Sequence, residues 1–359
     1  MRKLLALFIF IMYCCNANAQ NFRGDKTMKP EDAAGSPFGV LEFLSWNHPW
    51  NNYHYPDHAS LEKTIRLMKA AGVGFVRFDF SWQDIEPSQG KFQFEKYDYI
   101  VDLLYKNHIG ILGIFDYTVD WASSDGKWNN PPRENQLFVD YACKVIERYK
   151  DKVKYWEVWN EPDSSTYWFN QDGLKSYCAL LKDVYVAAKK VDPDCKILNG
   201  GIANGIVSIN WLYDNGASEY FDILNVHIFE TPLDSIAIKR AKAYLKLAYK
   251  IMKRKGGAAK TIWVTEIGCP GVAKGLQVPN WWMGGNPDEK LQADWVKQVF
   301  TELIRTDAVE KVFWAFFRET DKHWDNGVDH FGLVRNDYSR KPAFLVYRNC
   351  VRNWQKQHR

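Results

Sequence analysis

Residues 154–165 read KYWEVWNEPDSS. Three aromatics and Val158 make a short β-prone run around Glu157, and the run stops at Asn160-Glu161-Pro162. Proline has no N–H to give a ladder, so it belongs at the tip of a strand rather than inside one. The stretch therefore predicts a strand that carries Asn160 and Glu161 at its C-terminal end. Taken singly, a glutamate before a proline is also what an ordinary solvated turn contains. What lies before and after this strand decides between the two.

Seven more short runs of the same kind punctuate the chain. They are FGVLEFLS from Phe38, GFVRFDF from Gly74, IGILGIF from Ile109, KILNGG from Lys196, FDILNVHIF from Phe221, TIWVTEIG from Thr261 and KVFWAFF from Lys311. Helical patterns separate them: Leu61, Ile65 and Met68 fall at i, i+4, i+7, and Leu137, Tyr141 and Val145 share one face. Strands alternating with helices imply right-handed crossovers and a parallel sheet. Eight such units predict an α/β fold, a (β/α)8 TIM barrel over residues 37–359, with KYWEVWN as the fourth strand. No Gly-rich phosphate loop follows the first strand, which argues against a dinucleotide-binding sheet. In a barrel, chemistry belongs at the C-terminal ends of the strands.

The N-terminus predicts export. Arg2 and Lys3 precede an apolar run from Leu4 to about Cys15, and Ala17-Asn18-Ala19 supplies a small-x-small cleavage pattern. Residues 1–19 read as a signal peptide and 20–36 as a polar leader, placing the mature protein in the periplasm or outside the cell. Cys14 and Cys15 suggest a lipoprotein, but Tyr13 stands where lipidation wants a small residue. Losing Arg2 and Lys3 lowers the formal charge from +4 to +2, which gives no electrostatic case for nucleic acid or an anionic membrane. Cys143, Cys178, Cys195, Cys269 and Cys350 remain, widely spaced and without CxxC, so neither a zinc site nor a disulfide framework is indicated.

The seventh predicted strand, TIWVTEIG, also ends on a carboxylate, Glu266, followed by a Gly/Pro turn. Strands four and seven face each other across a barrel mouth, so Glu161 and Glu266 can converge above the core. Two carboxyls across a sugar-sized gap are what glycoside hydrolysis needs. A gap of about 5–5.5 Å suits a covalent, retaining route, and about 6.5–9.5 Å an inverting one.

In these residues the chain resembles the clan A retaining glycoside hydrolases over nearly its whole mature length. The similarity lies in WEVWNEP on strand four, WVTEIG on strand seven, VRFDFSWQDIEPSQGKF around strand two and HFGLVRNDYSRKPAF near the end. YWEVWNEPD is most like family 39, the β-xylosidase and α-L-iduronidase group, with cellulase-like family 5 second. The resemblance implies Glu161 as acid/base, Glu266 as nucleophile and Asn160 as partner of the sugar 2-hydroxyl. It also implies that Arg77 holds Glu266 ionised, that His227 lies near the acid/base and that Trp314 floors the sugar site. No metal or organic cofactor is implied. One departure stands out: a tyrosine common after strand six is Phe229 here, which leaves Tyr117 or a later loop tyrosine to replace it.

Other readings stay open for single residues. Arg77 can pair structurally with Asp79 or another strand-end acid, His227 can be a core histidine, and Glu157 lies deeper on strand four as a buried acid. Trp46, Trp121, Trp168, Trp281 and Trp282 fall in loops on the expected catalytic face, where rings stack on sugars or simply pack the loops. The expected partner is an oligo- or polysaccharide. The alternative is a catalytically silent barrel that binds carbohydrate for sensing or uptake.

Overall fold

A computed structural model describes residues 35–256, 260–279 and 286–358. The signal peptide and leader up to residue 34, together with Trp281 and Trp282, lie outside the described residues. Eight strands close a parallel barrel in chain order. They are β1 (Phe38–Leu41), β2 (Phe75–Ser81), β3 (Gly110–Asp116), β4 (Tyr155–Val158), β5 (Lys196–Asn199), β6 (Ile223–His227), β7 (Thr261–Ile267) and β8 (Val309–Ala315). The expected fold and all eight expected strands are present. Helices follow the strands and cover the barrel, from His58–Ala71 after β1 to Pro342–Gln357 after β8.

Local chemistry sets the helix ends. Asp57 accepts from Ser60 N at the start of His58–Ala71, and Gly72 ends that helix in the left-handed region at φ 82°. Asp288 caps Glu289–Glu302 in the same way through Leu291 N. None of the described helices is long and apolar enough to cross a membrane.

Outward residues of the strands pack against the helices, and inward residues fill the lumen. The lower lumen is a cluster of Phe75, Leu112, Leu198, Ile223, Trp263 and Phe313. Rings of this size fit because glycines face them. A Cβ on Gly39 would lie 2.4 Å from the Phe313 ring, and one on Gly110 would lie 2.6 Å from Phe75. Small opposite large closes the floor of the barrel, and above that floor lie the charged side chains Arg77, Glu157 and Glu266. Cys143, Cys178, Cys195, Cys269 and Cys350 are all free thiols.

Candidate active site

β4 delivers Glu161 through a strained tip. Strand pairing ends at Val158, after which Trp159 and Glu161 both take positive φ, 70° and 44°. For non-glycine residues such angles cost on the order of 1–3 kcal/mol each. Trp159 holds the turn: its ring is buried against Trp168 and Phe138, and its indole donates to the Tyr167 carbonyl at 2.9 Å. The turn leaves Glu161 only part-buried, its side chain 13% exposed.

β7 delivers Glu266 through a register shift. Ile262, Val264 and Ile267 pack in the outer core, Trp263 fills the lumen, and pairing with β8 slips between Val264 and Ile267. The slip lets Thr265 and Glu266 both face the mouth, as a β-bulge does. Glu266 pairs in register with His227 of β6, at a second irregularity.

Two side chains, Arg77 and His227, hold the two glutamates. Arg77, buried under the mouth, donates Nη1 to Glu266 Oε1 at 2.6 Å and Nη2 to Asn160 Oδ1 at 2.8 Å. Its Nε and Nη2 grip Glu157 Oε2 and Oε1 at 2.7 and 2.8 Å, and Glu157 also accepts from Gly201 N at 3.0 Å. The alternative partner for Arg77, Asp79, makes no hydrogen bond with it; Glu157 is its anchor. Because Asn160 Oδ1 is taken by Arg77, Nδ2 is the end of its amide left to donate.

His227 Nδ1 lies 2.8 Å from Glu161 Oε1 and 3.7 Å from Glu266 Oε2. Its other nitrogen faces Thr265 Oγ1 at 3.0 Å, and that hydroxyl donates to Asn225 Oδ1 at 2.6 Å. Asn225 is itself oriented by donating Nδ2 to the Asn199 carbonyl at 3.1 Å. Thr265 has one proton and spends it on Asn225, so it accepts from His227 Nε2–H. Nδ1 and Glu161 must then share a proton, held on one or the other. Burial alone would depress His227, but Glu266 and Glu161 outweigh it and the imidazole pKa is raised. Burial raises Glu266 above the ordinary glutamate range, with His227 and Arg77 pulling the other way. Donor atoms of Glu161, His227 and Glu266 all lie within 4.8 Å of one another, a spacing that could also receive a cation.

The sequence pattern of the glycosyl hydrolase catalytic core matches residues 128–339, more than half of the chain. The chain belongs to that family of glycosyl hydrolases. A second pattern, described as β-galactosidase, matches residues 50–113. Endo-1,4-β-xylanase B of Thermotoga neapolitana is 23% identical over 304 residues, 77% of this chain and 79% of the relative. Endo-1,4-β-xylanase 3 of Hypocrea jecorina is 31% identical over 149 residues, 38% of this chain and 40% of the relative. A solved family 39 glycoside hydrolase from Bacteroides cellulosilyticus WH2 superposes with TM-score 0.68 at 25% identity, covering 88% of this chain and 63% of that one. The chain thus spans less than two thirds of the length of the latter two relatives.

Within this glycosyl hydrolase the expected site residues divide. Arg77, Asn160, Glu161, His227 and Glu266 converge. Trp46 reaches the rim, stacked on Phe43 at 3.8 Å between ring centroids, with its indole donating to Asp79 Oδ2 at 3.3 Å. Trp121 is half-buried against Trp82 and donates to the Glu86 carbonyl at 3.0 Å. Trp168 is fully buried between Trp159 and Tyr177, so its ring has no face for a sugar.

Trp314 does not floor the mouth. It sits in the outer core with its indole on the Phe331 carbonyl, because β8 turns Phe313 and Ala315 inward and Trp314 outward. Phe316, packed with Leu41, Phe43, Trp46 and Phe331, is the aromatic that β8 brings to the mouth. Among the described residues no tyrosine hydroxyl bonds Glu266, although burial, then Glu161 and Glu266, raise Tyr167. Thr265 and Asn225 are the site residues that the sequence reading missed. Their signal was a polar side chain inside each of two apolar strands.

Proposed function

We propose that the chain is an exported retaining glycoside hydrolase that cleaves O-glycosidic bonds in a plant or microbial glycan by double displacement. The observation that carries this reading is the spacing of Glu161 and Glu266, whose nearest donor atoms lie within 4.8 Å. That distance suits a nucleophile and an acid on one sugar, and leaves too little room for the water an inverting enzyme places between them.

Glu266 attacks the anomeric carbon while the proton shared by Glu161 and His227 passes to the leaving oxygen. A glycosyl ester on Glu266 and a free alcohol result. Glu161, again backed by His227, then takes a proton from water as its oxygen attacks the same carbon and frees Glu266. Asn160 Nδ2 donates to the 2-hydroxyl. The xylanase relatives make β-1,4-xylan and aryl β-xylosides the first substrates to test.

Glu161→Ala and Glu266→Ala should each lower turnover by at least about 1,000-fold, taking an acid/base contribution of roughly 100- to 10,000-fold as the guide. Azide should restore only the Glu161 variant, on substrates with activated leaving groups. Proton NMR of the first-formed sugar should show the substrate's anomeric configuration. Inversion would reject double displacement. For export, N-terminal sequencing of the processed protein should begin at Gln20, and recovery of uncleaved chain inside the cell would count against it.

A further inference from the structure

Two acids near the mouth take no part in the chemistry above. Asp116 ends β3, where Leu112 fills the lumen and Phe115 packs outward, so strand alternation turns Asp116 inward. It pairs in register with Ser81 of β2, two residues beyond Asp79, which stands above Arg77 on the same face. Asp116 is 3% exposed, and among the described residues no donor reaches its carboxyl. Asp79 has one donor, the Trp46 indole on Oδ2.

The Asp116 oxygens are not sealed off from solvent, so a group entering the mouth can donate to them. Burial, then the charge of Asp79, pushes Asp116 well above the usual carboxylate range. Burial likewise lifts Asp79 to about 6. The Asp116 carboxyl offers two oxygens that can accept from a sugar hydroxyl.

The charge around the pair limits what can enter. Asp79, Asp116, Glu157, Glu161 and Glu266 face two cationic groups, Arg77 and His227. Arg77 already serves Glu157, Glu266 and Asn160, and His227 serves Glu161 and Thr265. Arg318, three residues past the end of β8, bonds His54 and Asn336 and stacks on Tyr55, and its Nε is buried out of reach of an incoming sugar. Among the described residues a uronate would add a carboxylate where both cations facing these acids are already paired, whereas a neutral sugar adds only hydroxyls.

Resting on the glycosidase reading, we infer that Asp116, backed by Asp79, reads a hydroxyl of the sugar held between Glu161 and Glu266, and that this sugar is uncharged. Asp116 is thus a specificity-determining residue.

The test uses the full chain, as wild type, Asp116→Asn and Asp116→Ala, with 4-nitrophenyl β-xyloside, β-glucoside and β-galactoside. Matched substrates are the β-glucuronide, the 2-amino-2-deoxy-β-glucoside and single-deoxy analogues of the best substrate. Neutral glycosides should exceed the uronide in kcat/KM by at least about 100-fold. Losing a hydrogen bond to a carboxyl should cost the Asp116 variants roughly 10- to 100-fold on the full sugar. The same variants should lose less than about threefold on the one deoxy analogue that lacks the recognised hydroxyl. A merely structural role would give the same loss on every analogue, and that result overturns the inference. So does a uronide or amino sugar turned over as fast as the neutral sugar, or wild-type rates in both variants. Should Asp116→Ala not fold, the isosteric Asp116→Asn carries the comparison. Failure of folded wild type to cleave any glycoside would instead remove the glycosidase reading, and this inference with it.

Discussion

The single proton of the Thr265 hydroxyl, given to Asn225, fixes which nitrogen of His227 carries hydrogen, and so where the acid's proton is kept. Thr265→Val removes the acceptor that favours Nε2–H and the imidazolium. The shared proton should then leave at lower pH, moving the alkaline limb of the kcat/KM profile downward. Loss of one such bond predicts about a tenfold fall, larger for poor leaving groups, which need the acid most. Thr265→Ser should restore the limb, and an unchanged profile in the valine variant would show that the relay does not set the proton. The acid limb belongs to Glu266, which must be ionised to attack. Because burial raises its pKa, activity should fall away at a pH above the ordinary glutamate value of 4.5 as the solution is acidified. Gly201 completes the relay by its size: a Cβ there would lie 1.9 Å from His227 Nε2. Gly201→Ala should therefore displace the imidazole and reproduce the alkaline-limb shift while Thr265 stays in place.

At the scale of elements, β4 and β7 share one task and solve it differently. One uses left-handed residues after the last ladder bond, and the other slips register so that adjacent residues face the same side. Glu161 and Glu266 were legible because each is an isolated carboxylate ending an apolar run, a pattern that survives an error of one residue in facing. Arg77 and His227 were legible through the same resemblance. Trp314 was not, since its facing depends on strict alternation, and Trp168 was not, since loop sequences carry no periodicity from which to read burial. Glu157 is the element-level counterpart of this machinery, joining β4 to β2 through Arg77 and to the start of the β5 loop through Gly201. Removing one partner of a buried ion pair typically costs about 3–5 kcal/mol. Glu157→Ala should lower stability to urea by that order and cut activity as well, because Arg77 loses the anchor that aims it at Glu266. A variant with wild-type unfolding midpoint would show that Arg77 is held without Glu157.

Across the whole molecule, the catalytic polar groups gather at the C-terminal end of the barrel, while the lower lumen is lined by rings and also holds Lys311. It lies on β8 in the lower lumen, with Nζ 4.3 Å from the centre of the Phe75 ring, 5.2 Å from that of Trp263, and donating to the Ser36 carbonyl at 3.0 Å. Burial pushes its pKa down to about 8, with Glu310 opposing. A lysine whose folded pKa is depressed binds its proton more weakly in the fold than in the unfolded chain. Below about pH 8 it is charged in both states and the fold bears the whole cost of burying that charge. Between that pH and the ordinary lysine value the unfolded chain holds more protons, so stability rises with pH. The shift corresponds to roughly 3 kcal/mol, offset in part by the two rings beneath the ammonium. Lys311→Met should accordingly melt higher than wild type at pH 7, and the difference should shrink toward zero by about pH 10 as the wild-type lysine loses its charge. Thermal unfolding of both proteins at the two pH values measures this directly. An equal difference at both would mean that the lysine is held by contacts that do not depend on its proton.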